Sequence, residues 1–189
     1  MGNPARLTLR EWVACDRDTQ TRVFGWASHE LMPAHASQAM MALSVARTLR
    51  PEIRLHDCLA VHSWVAYDGQ RSVAFISAEL SRWRRPEVFS PSESFSEPTG
   101  PWMSFSTLVD PELWGRGYAG AAKMAACEHP MAAPAEAFHV CIRDDNARSL
   151  SAIAKLTGIE DIGTSVDDGH QWRHFRWRYR LTPVTTSER

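Results

Sequence analysis

The chain has 189 residues, 44% of them hydrophobic, with 21 basic side chains against 22 acidic ones and a formal net charge of −1. That length suits one domain with a substantial core, and the near balance of charge gives no bulk field to draw the protein to nucleic acid or an anionic membrane. No apolar run reaches the length of a membrane span, and the N-terminus lacks the charged and apolar regions of a signal peptide.

In chain order, Arg6 to Val13 alternates with period two, which predicts a first strand with Leu7, Leu9 and Trp12 turned to the core. Asp16 to Ser28 and Pro33 to Leu49 read as helices, the second stopping before Pro51. Cys58 to Tyr67 and Ser72 to Trp83 read as paired strands joined by Asp68-Gly69, a dipeptide favoured in tight hairpins. Leu59, Val61, Val65 and Tyr67 share one face of the first strand, opposite His62 and Trp64. Glu79 shares a face with Val73 and Phe75, where it is either a base directed into a cleft or the point at which the strand emerges into solvent. Residues 82–101, rich in Ser, Pro and Glu, read as a long loop, either a lid beside a cleft or an insertion without function.

Trp102 to Val109, bounded by Pro101 and Asp110-Pro111, is the next strand. Gly115-Arg116-Gly117-Tyr118-Ala119-Gly120 follows, and Pro130 stops an Ala-rich helix expected over Gly117 to Glu128. A glycine-rich turn opening a helix is an anion site, because the first helical amides lack internal partners and the peptide dipoles leave positive charge there. Gly115-x-Gly117-x-x-Gly120 also matches the dinucleotide fingerprint, with Asp144 or Asp145 as the later ribose-binding acid. That fingerprint places its first glycine directly after the strand, whereas five residues separate Val109 from Gly115. Val140 to Arg143 then leads to Asn146, a good N-cap for a helix ending near Leu156. In the closing stretch Gln171 to Leu181, Phe175, Trp177, Tyr179 and Leu181 form an apolar row, and His174, Arg176, Arg178 and Arg180 form a basic row that is either a solvated strand face or a surface for an acidic substrate, nucleic acid or a coenzyme phosphate. A short flexible tail is expected at 183–189.

Leu108-Val109-Asp110-Pro111-Glu112-x-x-Gly115-Arg116-Gly117-Tyr118-Ala119 resembles the central motif of the GNAT superfamily of acyl-CoA N-acyltransferases, an Arg or Gln, two residues, Gly, one residue, then Gly or Ala. Trp114 stands at the Arg/Gln position, a departure from the pattern. Asn146-Ala147-Arg148-Ser149 and Lys155-Leu156-Thr157-Gly158-Ile159 look like the next block of that family, and Leu7-x-Leu9-Arg10-x-Trp12 is similar to the opening of its Rim-type branch, which modifies ribosomal proteins. The resemblance implies a single α/β domain over 1–189: a mixed, mostly antiparallel sheet splayed at its centre, with helices on both faces.

The activity it implies is transfer of an acetyl group from acetyl-CoA to a primary amine of a protein N-terminus or a small molecule, without a metal. Coenzyme contacts would come from Thr107, Leu108 and Val109, from the turn residues Trp114, Gly115, Arg116, Gly117, Tyr118, Ala119 and Gly120, and from Asn146 and Ser149; for Asn146 and Ser149, plain capping is an equal reading. Trp26, Ser104 and Ser106 would meet the acceptor, as would His29, Met32 and His35 from the early helices. Glu79 is the expected general base, with His139, Glu97 or a water chain through Ser104 or Ser106 as alternatives. The family's acidic Tyr would fall near Ile153, leaving Ser149 as the nearest donor to the departing sulfur. A non-catalytic acyl-CoA-binding module and a dinucleotide-binding oxidoreductase are the competing functions. Cys15, Cys58, Cys127 and Cys141 lack metal-ligand or disulfide spacing, so reduced thiols in a cytoplasmic protein are expected, with a homodimer left open.

Overall fold

The computed structural model describes residues 6–30, 38–54 and 57–178. Within them one sheet of eight strands runs in the spatial order β1 (Thr8–Glu11), β2 (Cys58–Asp68), β3 (Arg71–Arg82), β5 (Pro101–Val109), β6 (Ala137–Arg143), β8 (His170–Trp177), β7 (Ile159–Asp167) and β4 (Phe89–Pro91). Every neighbouring pair is antiparallel except β5 and β6, which run parallel. Helices α1 (Arg17–Trp26) and α2 (Gln38–Leu49) pack Val23, Trp26 and Met41 on one face, against Val65, Tyr67, Phe75 and Leu108. Helices α3 (Tyr118–Glu128) and α4 (Ala147–Ile153) cover the other, where Ala122, Ala126 and Ile153 meet Trp64, Ile76, Phe105 and Val140. The alternation of β2 and β3 thus supplies two cores rather than one wet face and one dry face.

Local chemistry explains where elements start and stop. The first strand is shorter than its alternation implied: after Glu11 the chain turns through a 3-10 turn at Trp12–Ala14, held by Gln20 Nε2 donating to the Trp12 carbonyl at 3.0 Å, and this sends Trp12 into the core. Asp16 caps α1 by accepting from the Thr19 amide at 2.7 Å. Helix α2 is described from Gln38 onward; the expected start at Pro33, with Met32 and His35, lies outside the described residues, as does 179–189. The β2–β3 loop is Gly69-Gln70, one position later than read, because Asp68 still pairs with Arg71 and Gly69 takes the positive φ of +58°.

Two expectations for the second half of the sheet are corrected. The stretch 82–101 is not a free loop: Phe89–Pro91 forms the edge strand β4 on β7, and Phe95 packs beside Trp83 and Trp102. The basic row of the last strand is only in part a solvated face: Arg178 is exposed, and Arg180 lies outside the described residues. His174 and Arg176 are buried, and Arg176 holds Glu160 through two nitrogens at 2.9–3.0 Å. β8 pairs on both edges, with β6 and β7, and its second half, His174 to Trp177, is buried while His170 and Gln171 stay exposed.

Candidate active site

Strands β5 and β6 are paired only at their first residues, Trp102 with Ala137, Met103 with Phe138 and Ser104 with His139. Beyond that point β5 continues to Val109 along β3 and β6 continues to Arg143 along β8, but the two no longer meet. The parallel pair therefore opens into a V whose vertex is Ser104–His139 and whose inner edges carry backbone groups without a strand partner. On the β5 edge the Thr107 hydroxyl is buried and without a hydrogen-bond partner.

The glycine turn follows the β5 arm at the mouth of the V. Asp110, buried, accepts from the Glu112 amide and pairs with Arg71 at 3.2 Å, fixing the 3-10 turn Pro111–Leu113 whose Leu113 is driven into the core. Gly115 and Gly117 then take φ values of +78° and +86°, which side chains bearing a Cβ rarely adopt. An added Cβ on Gly115 would meet nothing within 4 Å, so this backbone borders open space. The bond from the Ala121 amide to the Gly117 carbonyl is α3's first, so the amides of Tyr118, Ala119 and Gly120 lie at its open positive end. The Tyr118 hydroxyl donates to Asp68 at 2.7 Å, so its side chain anchors the helix and only its backbone faces the turn. Gly120 has a packing role: a Cβ there would sit 3.1 Å from Leu156 Cδ2.

Trp114, the residue standing at the Arg/Gln position, folds back on the strand, its indole donating to the Val109 carbonyl at 3.1 Å. Its ring meets His29 edge-on at 5.3 Å between centroids and carries the Arg148 guanidinium 3.8 Å above it. Arg148 belongs to α4, on the far arm of the V, so a cation reaches the turn by a route that the motif pattern did not reveal. Asn146 accepts from the Ser149 amide at 3.1 Å, which makes it the N-cap of α4. Ile153 is core.

At the vertex, Glu79 stands opposite Ser104 in the β3–β5 register and Ser77 opposite Ser106. Glu79 is neither bare nor adrift in solvent: Arg47 of α2 pairs with it at 2.8 Å, both side chains less than a third exposed. Ser104 Oγ lies 3.0 Å from His139 Nδ1, and His139 Nε2 lies 3.1 Å from His174 Nδ1. Burial pushes His139 down to about 3, helped by its charged-form repulsion with His174, and burial pushes His174 down to about 4. Glu79, Ser104, Ser106 and His139 are thus brought together. Glu97 is not part of the group; it forms an exposed pair with Arg85 at 3.5 Å. Trp26 is also elsewhere. It is buried in the core and edges an open concavity of about 820 Å³ with Arg22, His29, Arg71 and Asp110. That concavity sits at the Asp110 end of β5, about 20 Å along the strand from Ser104 at the usual rise per residue. Sequence reasoning missed Arg47, Arg148 and His174, each of which reaches the site from an element distant in the chain.

No protein-family model matches this chain, and no curated protein matches it. Solved structures do match. An aminoglycoside N(6')-acetyltransferase from Legionella pneumophila superposes with a TM-score of 0.61 at 13% identity, covering 91% of each chain. The aminoglycoside acetyltransferase AAC(6')-Ib in complex with ribostamycin and coenzyme A gives 0.64 at 13% identity, over 97% of this chain and 99% of that one. The fold is the GNAT acetyltransferase fold. A putative GNAT-family acetyltransferase from Bordetella pertussis adds a TM-score of 0.55 at 16% identity, over 93% of this chain and 97% of that one. The GNAT fold also decides against the dinucleotide fingerprint, which opens a parallel sheet, whereas here one pair in the whole described sheet is parallel. Among the described residues there is no cluster of three or more side chains able to hold a metal ion, and no helix is long and apolar enough to cross a membrane.

Proposed function

We propose that this protein is an acetyl-CoA-dependent N-acetyltransferase. The observation that carries the reading is the parting of β5 and β6 after Ser104–His139, directly upstream of a turn whose glycines leave three helical amides open. Coenzyme A is a long thiol carrier with a diphosphate, and the two features suit its two parts. The amides of Gly115 to Gly120, with Arg148, take the diphosphate. The unpaired edge of β5 near Thr107, Leu108 and Val109 takes the pantetheine amides as an added strand, and this places the thioester toward the vertex. A backbone amide there polarises the carbonyl, and a thiol of pKa about 8.5 leaves with little help. Support from outside the chain comes from the AAC(6')-Ib structure named above, which holds coenzyme A beside ribostamycin, and from a second structure of that enzyme with acetyl-CoA and another aminoglycoside, at a TM-score of 0.63 and 13% identity.

The acceptor is a primary amine that arrives as an ammonium, since such amines have a pKa of about 10.4 in water. Glu79 is the residue we assign to hold it; in support, Arg47 pairs with the carboxylate, which stands opposite Ser104 at the vertex and is partly exposed. Glu79 accepts the first proton and passes it to solvent, leaving the neutral amine to attack. The favoured acceptor is a small polycationic amine, by likeness to the aminoglycoside enzymes above and to a chimera of the Vibrio cholerae spermidine N-acetyltransferase SpeG, which superposes with a TM-score of 0.57 at 12% identity over 92% of this chain and 95% of that one. A protein N-terminus is the second reading, supported by the Rim-like Leu7-x-Leu9-Arg10-x-Trp12 opening. The buried Ile153 at the acidic-Tyr position favours a third, a coenzyme-binding module without turnover.

One assay separates them: release of free thiol from acetyl-CoA with spermidine, an aminoglycoside, and a peptide bearing a free N-terminus. Turnover with one of the first two is expected, and Glu79→Gln is expected to lower it by about 10²-fold or more while coenzyme affinity stays unchanged. Tight coenzyme binding without turnover on any amine selects the binding module, and full activity of the Gln variant removes Glu79 from the reaction.

A further inference from the structure

Four polar side chains from four strands form one hydrogen-bonded row on the α1–α2 side of the sheet. Ser104 Oγ is 3.0 Å from His139 Nδ1, His139 Nε2 is 3.1 Å from His174 Nδ1, and His174 Nε2 is 2.8 Å from Ser165 Oγ. The two imidazole planes lie within 15° of each other, and Trp83, Trp102 and Phe89 pack around them. His139, His174 and Ser165 are all at most 8% exposed, whereas Ser104 is half-buried, so the row has one open end, at the vertex of the V. Unlike Glu79, no carboxylate or guanidinium bonds directly to any member of it among the described residues.

A neutral imidazole has one donor nitrogen and one acceptor nitrogen. Two of them between two hydroxyls therefore have two self-consistent arrangements, with every bond running inward toward Ser165 or every bond running outward toward Ser104. In the inward arrangement Ser104 donates to His139, and its oxygen is left free to accept from a group in the cleft. A buried row of this kind is expensive to leave half-satisfied, and packing alone would be served better by apolar side chains.

We propose that Ser104, His139 and His174 form a proton shuttle that carries the acceptor amine's second proton to the coenzyme sulfur; this rests on the acetyltransferase reading above. Conversion of an ammonium to an amide removes two protons from nitrogen, and the first leaves through Glu79. When the carbon–nitrogen bond has formed, the intermediate's N–H proton passes to Ser104 Oγ, the Ser104 proton passes to His139 Nδ1, and the His139 Nε2 proton passes to His174 Nδ1. His174 then carries the charge, with Asp161 as its countercharge. As the carbon–sulfur bond breaks, the transfers reverse and Ser104 protonates the departing thiolate. The products are the amide and the free thiol, with one proton released to water through Glu79 and none through the row. Burial makes both rings poor resting places for a positive charge, so the row passes the proton and does not store it. Ser104 touches the reacting atoms in this scheme; His139 and His174 act through it.

The test is a single-turnover acetyl-transfer rate on the best amine of the panel above, for wild type, His139→Gln, His174→Gln and Ser104→Ala, with coenzyme affinity measured for each. Gln retains a donor and an acceptor but cannot relay a proton through a ring. Both Gln variants are expected to bind the coenzyme as wild type does and to transfer about 10²-fold more slowly. In mixtures of light and heavy water the wild-type rate is expected to fall along a curve, the mark of several protons in motion, and the Gln variants along a straight line. Wild-type rates in both Gln variants, or a straight line for wild type, overturn the shuttle while leaving the acetyltransferase intact. Ser104→Ala, at the half-exposed end, keeps the test decisive if a buried Gln does not fold: an unchanged rate there also overturns it. A wild-type protein that binds coenzyme and acetylates nothing overturns the shuttle together with the function it serves.

Discussion

His139 and His174 are the residues whose environment departs furthest from what their chemistry prefers in water. Each is buried and held neutral, His139 near 3 and His174 near 4, against about 6.5 for an exposed ring. A ring with a depressed folded pKa takes up its proton in the unfolded chain first, so the folded state loses stability as pH falls below about 6.5, and the loss continues down to the folded values. Between pH 7 and pH 5 each ring is expected to cost about 2 kcal/mol, or about 4 kcal/mol for the pair. Denaturant melts at the two pH values check this, and a pH-independent midpoint over that range would contradict the burial. His139 was legible as a candidate because it sits on a strand beside the central one; His174 was not. Its place in an alternating basic row pointed to solvent, and what reverses that reading is Phe89 of β4 packed on its ring, a contact that the periodicity of one strand cannot supply. Gly115 and Gly117, by contrast, were legible by type alone, since their positive φ is what glycine is for.

At the scale of elements, the long strands β2, β3 and β5 and helices α1 and α3 fall where their patterns put them, β1 ends earlier than its alternation implied, and the one missed outright was short. Strand β4 is three residues in a Ser/Pro-rich stretch, and nothing in those residues announces it; its existence depends on Gly163. A Cβ at 163 would collide with the Ser90 carbonyl oxygen and lie 2.8 Å from Pro91 Cα, so only glycine lets β4 dock on β7. Gly163→Ala is expected to lift β4, with faster hydrogen exchange at the Ser92 and Val166 amides, which bond to the Ile162 and Val88 carbonyls, and no change in α3. Unchanged exchange at those two amides would mean that the edge strand does not depend on this contact. The hairpin Asp168-Gly169, with φ values of +47° and +70°, was a signal present in the sequence and unused: a favoured type I′ pair that predicts both β7 and β8. The splay of β5 from β6 was legible through family resemblance alone. Both strands look like ordinary buried strands, and no residue within them says that they part after three pairs.

At the scale of the molecule, two helix pairs clamp a single sheet from opposite sides, and the sheet is continuous everywhere except at the V. The interruption is stable because each arm is paired on its outer edge, β5 by β3 and β6 by β8, so the fold does not need the inner pairing. A ligand that fills the V therefore adds to a finished structure, and at 100 times its Kd it contributes about 2.7 kcal/mol. The most direct test of the account is residue-resolved amide hydrogen exchange with and without acetyl-CoA. Slower exchange is predicted in two separate places, the turn from Gly115 to Ala119 and the inner edge from Ser106 to Val109, with the β1–β2 edge unchanged. Binding that protects neither segment, or no binding at all, would contradict it.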